Sequence, residues 1–402
     1  MLRVLCLDHE GGHGGSSRSL YQSIDHMDRR DAEVEVWCRR QGVIQERYAR
    51  IGVTCRPEPW LPRFTVFSEA LRDNLSHMRD VWPDFWRARP RIRRLAATIE
   101  RRFDLVHFNH PAFFLLARWL RPRCRVPFVM HVRTRPPDSA LARWQARTIT
   151  RVMDHLVFIT ENERDHLAGL AGGADGTVIH NIQAPPPRDL DPHPDIPRDG
   201  RLKVASLSNL SWHRGVDRLV DVAAELAAAG RRDVLFVMAG AMRLTADLAR
   251  RLGRGATPDD TLADHVEARG LSDMFVFLGH VDDPERVLIG CDVLAKLTRE
   301  ANPWGRDIIE ALAFGRPVLS CGDWTLFVET GATGFLYDAY DAATVARDLV
   351  GLADDRDSCR RMGEAGRERV AELCDGPARA ADLKRVWEGL CARPGSAGPA
   401  ES

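Results

Sequence analysis

Short apolar runs rich in β-branched residues alternate with helix-length segments along nearly the whole chain. Before residue 190 the runs are Leu2–Leu7, Val34–Cys38, Leu105–Asn109, Val126–Val132, Leu156–Thr160 and Thr177–His180. Beyond residue 200 they are Lys203–Leu207, Val234–Ala239, Met274–Leu278, Asp292–Leu297 and Arg316–Ser320. Near-continuous apolar runs of this length predict parallel strands buried on both faces, with helices as the crossovers. The expected fold class is α/β: two doubly wound parallel-sheet domains facing each other across a cleft. In that architecture ligands sit beyond the carboxyl ends of the strands.

The pattern breaks once. Ala184–Arg201 reads APPPRDLDPHPDIPRDGR and can be neither helix nor central strand. The chain is therefore read as a first domain over 1–184, a proline-rich linker over 185–201 and a second domain over 202–392, whose last helices return to pack on the first. Residues 393–402, RPGSAGPAES, read as a disordered tail. Charge divides at the same place. Residues 1–190 hold 30 basic and 22 acidic side chains, and the remainder holds 27 and 35.

Residues 57–102 read as an insert in the first domain. Between Arg79 and Arg102 there are eight arginines and three acids, interleaved with Trp82, Phe85 and Trp86. One reading is a patch for an anionic membrane surface or an anionic acceptor. The other is a solvated helical face, because no clean 3.6-residue period is visible through the prolines.

Composition narrows the function. The 402 residues carry 57 basic and 57 acidic side chains, so no net basic field marks a nucleic-acid binder. With 44% hydrophobic and 28% charged residues, the chain reads as an ordinary globular protein rather than a disordered one. No apolar run approaches the length of a membrane span, and the N-terminus enters a strand without a leader pattern. Nine cysteines without a Cys-x-x-Cys pair predict reduced, buried thiols and a cytoplasmic protein. The three lysines, Lys203, Lys296 and Lys384, fit no phosphate-loop pattern, which excludes a P-loop NTPase.

The strongest chemical signal runs from Asn302 to Val318, in the order loop, helix, tight turn, strand. Trp304, Gly305 and Arg306 stand at the helix start, where free N–H groups and a partial positive charge suit an anion. Glu310 lies beside the apolar stripe and could accept two hydrogen bonds from a vicinal diol; its plainer reading is a surface acid paired with Arg306. In the first half, Gly11, Gly12, Gly14 and Gly15 follow the first strand and would let a ligand approach the backbone. A dinucleotide fingerprint fails there, because the second strand ends without an acid.

In the second half, SLSNLSWHRGVDRLVDVAAEL, FVFLGHVDDPERVLIGCDVLAKLT, NPWGRDIIEALAFGRPVLS and ETGATGFL stand in an order and spacing that resembles the nucleotide-sugar-binding half of the retaining family 4 glycosyltransferases. In the first half DHEGGHGGSSRSL, DLVHFNHP, PFVMHVRT, VFITENERDHL and VIHNIQAP are similar to the same family more loosely. The resemblance implies the GT-B fold and transfer of a sugar from a nucleoside diphosphate sugar to a glycan, lipid-linked or small-molecule acceptor. It also implies retention of configuration and no metal or other cofactor.

It carries roles residue by residue. Glu310 matches the glutamate that holds the nucleotide ribose, and Asn302 stands where a first glutamate usually meets the donor sugar. Arg214 and Gly215 match the Lys-Gly of the diphosphate anchor, with Asn209 in place of its arginine. His131 matches the histidine set against the donor sugar; of His107 and His110, the latter is the cleft candidate and the former reads as packing. Gly14 and Gly15 match the donor-phosphate loop. The expected partners are the nucleotide sugar, the acceptor and, through 79–102, the inner face of the membrane. A non-catalytic protein of the same fold that binds a nucleotide or glycan is the alternative, motivated by Asn209 and Asn302.

Overall fold

The computed structural model describes residues 1–392 apart from 12–13, 67–70, 188, 209–210, 241–242, 254–260 and 301–302. Asn209, Asn302, Gly12 and the 393–402 tail therefore lie outside the described residues. The chain forms two compact units, Met1–Ile182 with Asp375–Ser402, and Gln183–Cys374.

The first unit holds seven strands: β1 (Leu2–Asp8), β2 (Ala32–Cys38), β3 (Thr54–Pro57), β4 (Leu105–Phe108), β5 (Phe128–Val132), β6 (His155–Phe158) and β7 (Thr177–Val178). They lie in the order β3-β2-β1-β4-β5-β6-β7. All pairings are parallel, with Val4 opposite Val34 on one side and Leu105 on the other. The second unit holds β8 (Leu202–Ser206), β9 (Val234–Ala239), β10 (Phe275–Gly279), β11 (Val293–Lys296), β12 (Val318–Cys321) and β13 (Gly334–Tyr337). Their order is β10-β9-β8-β11-β12-β13, again parallel. Both are doubly wound, Rossmann-like sheets, so the α/β architecture read from the apolar runs holds.

Two strands escaped the sequence pattern. Thr54–Pro57 is a polar edge strand, and Gly334–Tyr337 closes the other sheet with half its residues partly exposed. The first lacks the apolar run that a strand buried on both faces needs, and the second, Gly-Phe-Leu-Tyr, offers a run of only three large apolar residues.

Helices cover the first sheet in the order α1 (Gly15–Asp25), α2 (Val43–Arg50), α3 (Leu71–Arg102), α4 (Phe114–Leu120), α5 (Ala140–Val152) and α6 (Glu161–Ala171). The stretch read as an insert is in fact the crossover between β3 and β4, and most of it is the 32-residue helix α3. Its core stripe runs Phe85, Ala88, Ile92, Leu95, Ala96, Ile99, straight past Pro90. Pro83 and Pro90 each remove one helical hydrogen bond, freeing the carbonyls of Arg79 and Trp86. All four residues are exposed, so water replaces the lost partners.

The second sheet is covered by α7 (Val216–Ala228), α8 (Ala246–Arg251), α9 (Leu262–Ala268), α10 (Pro284–Gly290), α11 (Arg306–Ala313), α12 (Ala342–Asp354) and α13 (Arg356–Leu373). The proline-rich segment is no loose tether, because Arg286 of α10 holds the carbonyls of Asp191 and Pro192 at 3.0 and 3.2 Å, and Ile196 is buried. The last helix, α14 (Gly376–Cys391), belongs to the first unit, where Ala380, Leu383, Trp387 and Leu390 complete the core on the α1 face. Trp387 is fully buried and its indole N–H donates to His107 Nδ1 at 3.2 Å.

That contact makes α14 a structural requirement of the first unit. Trp387→Ala should cost about 3–5 kcal/mol, the usual range for emptying an aromatic core site. Denaturant titration checks it, and a loss under 1 kcal/mol would show that α14 is dispensable.

Candidate active site

In each sheet the strand order reverses once, between β1 and β4 in the first unit and between β8 and β11 in the second. Neighbouring crossovers leave to opposite faces there, so the carboxyl ends of those strands stay uncovered. The polar groups gather at these two places.

In the first unit the centre is Asp8, the last residue of β1 and 1% exposed. It accepts hydrogen bonds from Ser17 Oγ on α1 and from Asn109 Nδ2 at 3.0 Å. Burial pushes its carboxyl up, but the bonds from His9, Ser17 and Asn109 outweigh that and hold it below its ordinary value. Asn109, just past β4, passes the link on: Arg133 Nε donates to its Oδ1 at 3.0 Å and to its carbonyl at 3.2 Å. The same guanidinium reaches Asn181 Oδ1 at 2.9 Å and His131 Nδ1 at 3.1 Å. One buried network thus ties the ends of β1, β4 and β5 to the segment after β7.

His131 sits on β5 and is 3% exposed. A guanidinium only donates, so Nδ1 is the acceptor, and the neutral ring carries its proton on Nε2. That Nε2 is buried without a hydrogen-bond partner. His107 repeats the arrangement 5.6 Å away, its Nδ1 taken by Trp387 and its Nε2 likewise unpartnered. Two buried N–H donors without acceptors cost about 1–3 kcal/mol each. His110 accepts from Ala112 N at 3.0 Å and stacks on His9 at 3.9 Å.

The glycines divide. A Cβ on Gly11 would strike the Arg40 carbonyl at 2.5 Å, so this loop is pressed against backbone. Gly14 meets only the movable Glu10 carboxylate, and Gly15 begins α1.

In the second unit, two helix starts stand side by side at the carboxyl ends of β8 and β11. Gly215 begins α7 in the left-handed region, φ 65°, and a Cβ there would lie 2.0 Å from the Leu297 carbonyl. Only glycine fits. Arg299 fixes the turn before it, with a bidentate bond to Asp217 at 2.8 and 2.5 Å and a third to the Trp212 carbonyl at 2.7 Å. Its guanidinium also lies 3.2 Å from the Trp212 ring centroid. Arg214, in the middle of this held turn, is exposed and has no ion pair among the described residues. The glycine at each helix start supplies no side-chain cap, and in α11 the Ile308 N–H is met by Asp307 Oδ1 at 3.1 Å.

Gly305 begins α11, and Lys296 at the end of β11 packs under it. Lys296 Nζ bonds the Trp304 carbonyl and Asp307 Oδ1, each at 2.8 Å, and is itself buried. Trp304 is 5% exposed, 4.9 Å from Phe327. Arg306 Nε meets Glu310 Oε1 at 3.2 Å. The pairing was foreseen, but not as a surface contact: Glu310 is 5% exposed, on a helix whose last six residues are all buried.

The sequence reading missed Asp8, Asn109, Arg133, Lys296 and Arg299. A signal existed, since each is a polar residue at or just past the carboxyl end of an apolar run. Among the described residues no cluster of His, Cys, Asp or Glu is placed to hold a metal ion, and no helix is long and apolar enough to cross a membrane.

Two family models match the chain. Residues 14–182 match the glycosyl transferase 4-like domain and residues 191–369 match glycosyl transferases group 1. The chain is 28% identical over 291 residues to the D-inositol 3-phosphate glycosyltransferase of Streptomyces scabiei (strain 87.22), covering 65% of this chain and 63% of that one. It is 31% identical over 114 residues to the N-acetyl-alpha-D-glucosaminyl L-malate synthase of Bacillus anthracis, covering 28% and 30%. These matches span less than two thirds of either relative. The fold is that of Anabaena Alr3699/HepE in complex with UDP-glucose, with TM-score 0.73, 18% identity, and 97% of this chain and 100% of that chain covered.

The buried histidines set a pH dependence. Burial, with Arg133 nearby, lowers His107 to about 3, and burial with neighbouring charge holds His110 and His131 well below their ordinary value. The unfolded chain therefore binds protons that the native state refuses once pH falls below about 6.5, and stability drops with acid. Between pH 7.5 and 5.5 each histidine should remove about 1 kcal/mol. Denaturant midpoints across that range measure it, and a flat profile would show that the three rings protonate in place.

Proposed function

The chain carries a glycosyl transferase 4-like domain followed by a glycosyl transferases group 1 domain, and from that premise we propose that it transfers a sugar from a nucleoside diphosphate sugar to a hydroxyl acceptor. The observation that carries the reading is the pair of glycine-led helix starts at Gly215 and Gly305, with Arg214 exposed beside the first. Fixed N–H groups and a free guanidinium suit the charge that builds on a leaving diphosphate as the anomeric bond breaks. Because the turn bearing Arg214 is already pinned through Arg299, little ordering is needed on binding.

Glu310 is the residue for the ribose diol, its carboxylate oriented by Arg306. In the first unit, the buried Nε2–H of His131 suits a hydroxyl of the sugar being transferred, because that donor lacks any acceptor of its own. Gly14 and Gly15 lie on the donor-phosphate loop. Retention of configuration and independence of metal or cofactor belong to this reading; Arg214 and the helix starts would neutralise the charge that a metal otherwise takes.

The donor reading is tested by calorimetry with UDP, the nucleotide in the HepE complexes. Arg214→Ala should weaken it about ten- to a hundredfold, as expected for a hydrogen-bonded charge. Unchanged affinity removes Arg214 from the site. His131→Ala should leave UDP affinity unaltered and lower turnover about a hundredfold. Normal turnover with a reduced melting temperature would make His131 a packing residue only.

Peripheral membrane contact through residues 79–102 is part of the same proposal. On α3, Trp82 and Trp86 are 41% and 48% exposed, and Arg89 lies 3.4 Å from the Trp86 ring centroid. Exposed tryptophans beside arginines suit an anionic interface. Co-sedimentation with anionic vesicles should fall when both tryptophans become serine and should weaken with salt; equal binding to neutral vesicles counts against it.

A further inference from the structure

Two adjoining cavities of about 530 and 460 Å³ lie in the first unit, between the loop after β3 and helix α3. Each is within the size range of small-molecule sites. They share Pro59, Trp60 and Arg91. The chambers differ in character. The larger has Trp37, Trp60 and Leu95 on its walls, with Arg94 and Thr98 at the side. The smaller is lined by Arg39, Arg63, Arg87 and Arg91, with Thr65 and one acid, Asp84, in the same wall.

The charge balance is unusual. Of these arginines only Arg87 has a carboxylate, Asp84 at 3.5 Å on an exposed turn. Arg39, Arg63, Arg91 and Arg94 make no ion pair with any described residue. Arg39 is half-buried, its Nε is fully enclosed without a hydrogen-bond partner, and burial together with Arg63 and Arg40 disfavours its charge more than Asp84 favours it. Glu58, the other acid among the described lining residues, accepts from the Trp60 indole N–H. Nearby arginines behave differently: Arg56 and Arg102 both reach Glu35, at 3.0 and 2.7 Å. Among the described residues, Arg39, Arg63, Arg91 and Arg94 thus stand around the hollow without an ion pair, and Asp84 is the carboxylate in the wall of the smaller chamber. One carboxylate does not balance several converging guanidinium groups, and an anion supplied from outside would relieve their repulsion.

We propose that the arginine chamber binds the phosphate or carboxylate of the acceptor, and that the tryptophan chamber receives the acceptor's ring or apolar portion. A planar guanidinium fork matches such an oxyanion in bidentate fashion, and an enclosed Nε–H gains an acceptor it otherwise lacks. The inference rests on the glycosyl-transfer reading for the word acceptor only. The anion site stands on its own geometry.

The test uses the full chain with UDP saturating the proposed donor site and inorganic pyrophosphate as the probe, read by calorimetry. Wild-type protein should bind the probe. The double variant Arg39→Gln/Arg63→Gln should bind it at least tenfold more weakly while its UDP affinity is unchanged. Arg91→Gln/Arg94→Gln, on the exposed side of α3, gives the same comparison without disturbing packing. Competition by anionic vesicles places the anion in a lipid headgroup, and its absence places it in a soluble acceptor; both outcomes uphold the site. Pyrophosphate binding that is absent in the wild type, or equal in all three proteins, overturns it. Lost UDP affinity in Arg214→Ala with these results unchanged separates the donor site from this one.

Discussion

The handedness of parallel crossovers governs where chemistry can sit in this molecule. A right-handed β-α-β unit places its helix on a face fixed by the direction in which the next strand is laid down. When that direction reverses, the two flanking crossovers part and expose the strand ends. It happens between β1 and β4, and again between β8 and β11. The candidates Asp8 and Asn109 in one unit, and Gly215, Gly305 and Arg214 in the other, derive their position from that reversal, and His131 lies on β5, the next strand along.

The two reversals are furnished differently. The first is lined by buried polar side chains that satisfy one another, from Ser17 through Asp8, Asn109 and Arg133 to Asn181. Such a network is rigid because loss of one member leaves its neighbours unsatisfied in a low dielectric. The second relies on backbone. Arg299–Asp217 and Lys296–Asp307 clamp the turns, and each helix begins at a glycine that supplies no side-chain cap. A side-chain network orients a few specific hydrogen bonds; helix starts offer diffuse positive potential. The former suits hydroxyl recognition and the latter a diphosphate.

Much of the fold was legible because fully buried parallel strands leave a strong one-dimensional mark. Val34–Cys38 and Val234–Ala239 are apolar enough to be found by eye. Thr54–Pro57 is not, since an edge strand with a polar face has no such run. Helix α3 was obscured by Pro83 and Pro90, which break the expected hydrogen-bond pattern only on its wet side. Within the sites, local signals were readable, such as Gly215 before a helix or Glu310 on an apolar stripe. The Arg133–Asn109–Asp8 chain was not, because Asp8 lies 101 residues before Asn109, which lies 24 before Arg133, and only the sheet order joins them. Lys296 was set aside for lacking a phosphate-loop context, whereas its role is to hold the loop before α11 by one carbonyl and one carboxylate.

The contact between Arg133 and His131 has a chemical consequence. Because the guanidinium occupies Nδ1 as a donor, and burial with adjacent positive charge keeps the ring neutral, the proton must reside on Nε2. In that tautomer Nε2 has no lone pair to accept a proton. His131 therefore offers a hydrogen bond and cannot serve as a general base through that nitrogen. A group held this way stabilises an oxygen that gains negative charge and does little for one that must lose a proton. In the glycosyl transfer proposed above, an acceptor hydroxyl would have to lose its proton to some group other than His131, whose fixed N–H can only donate.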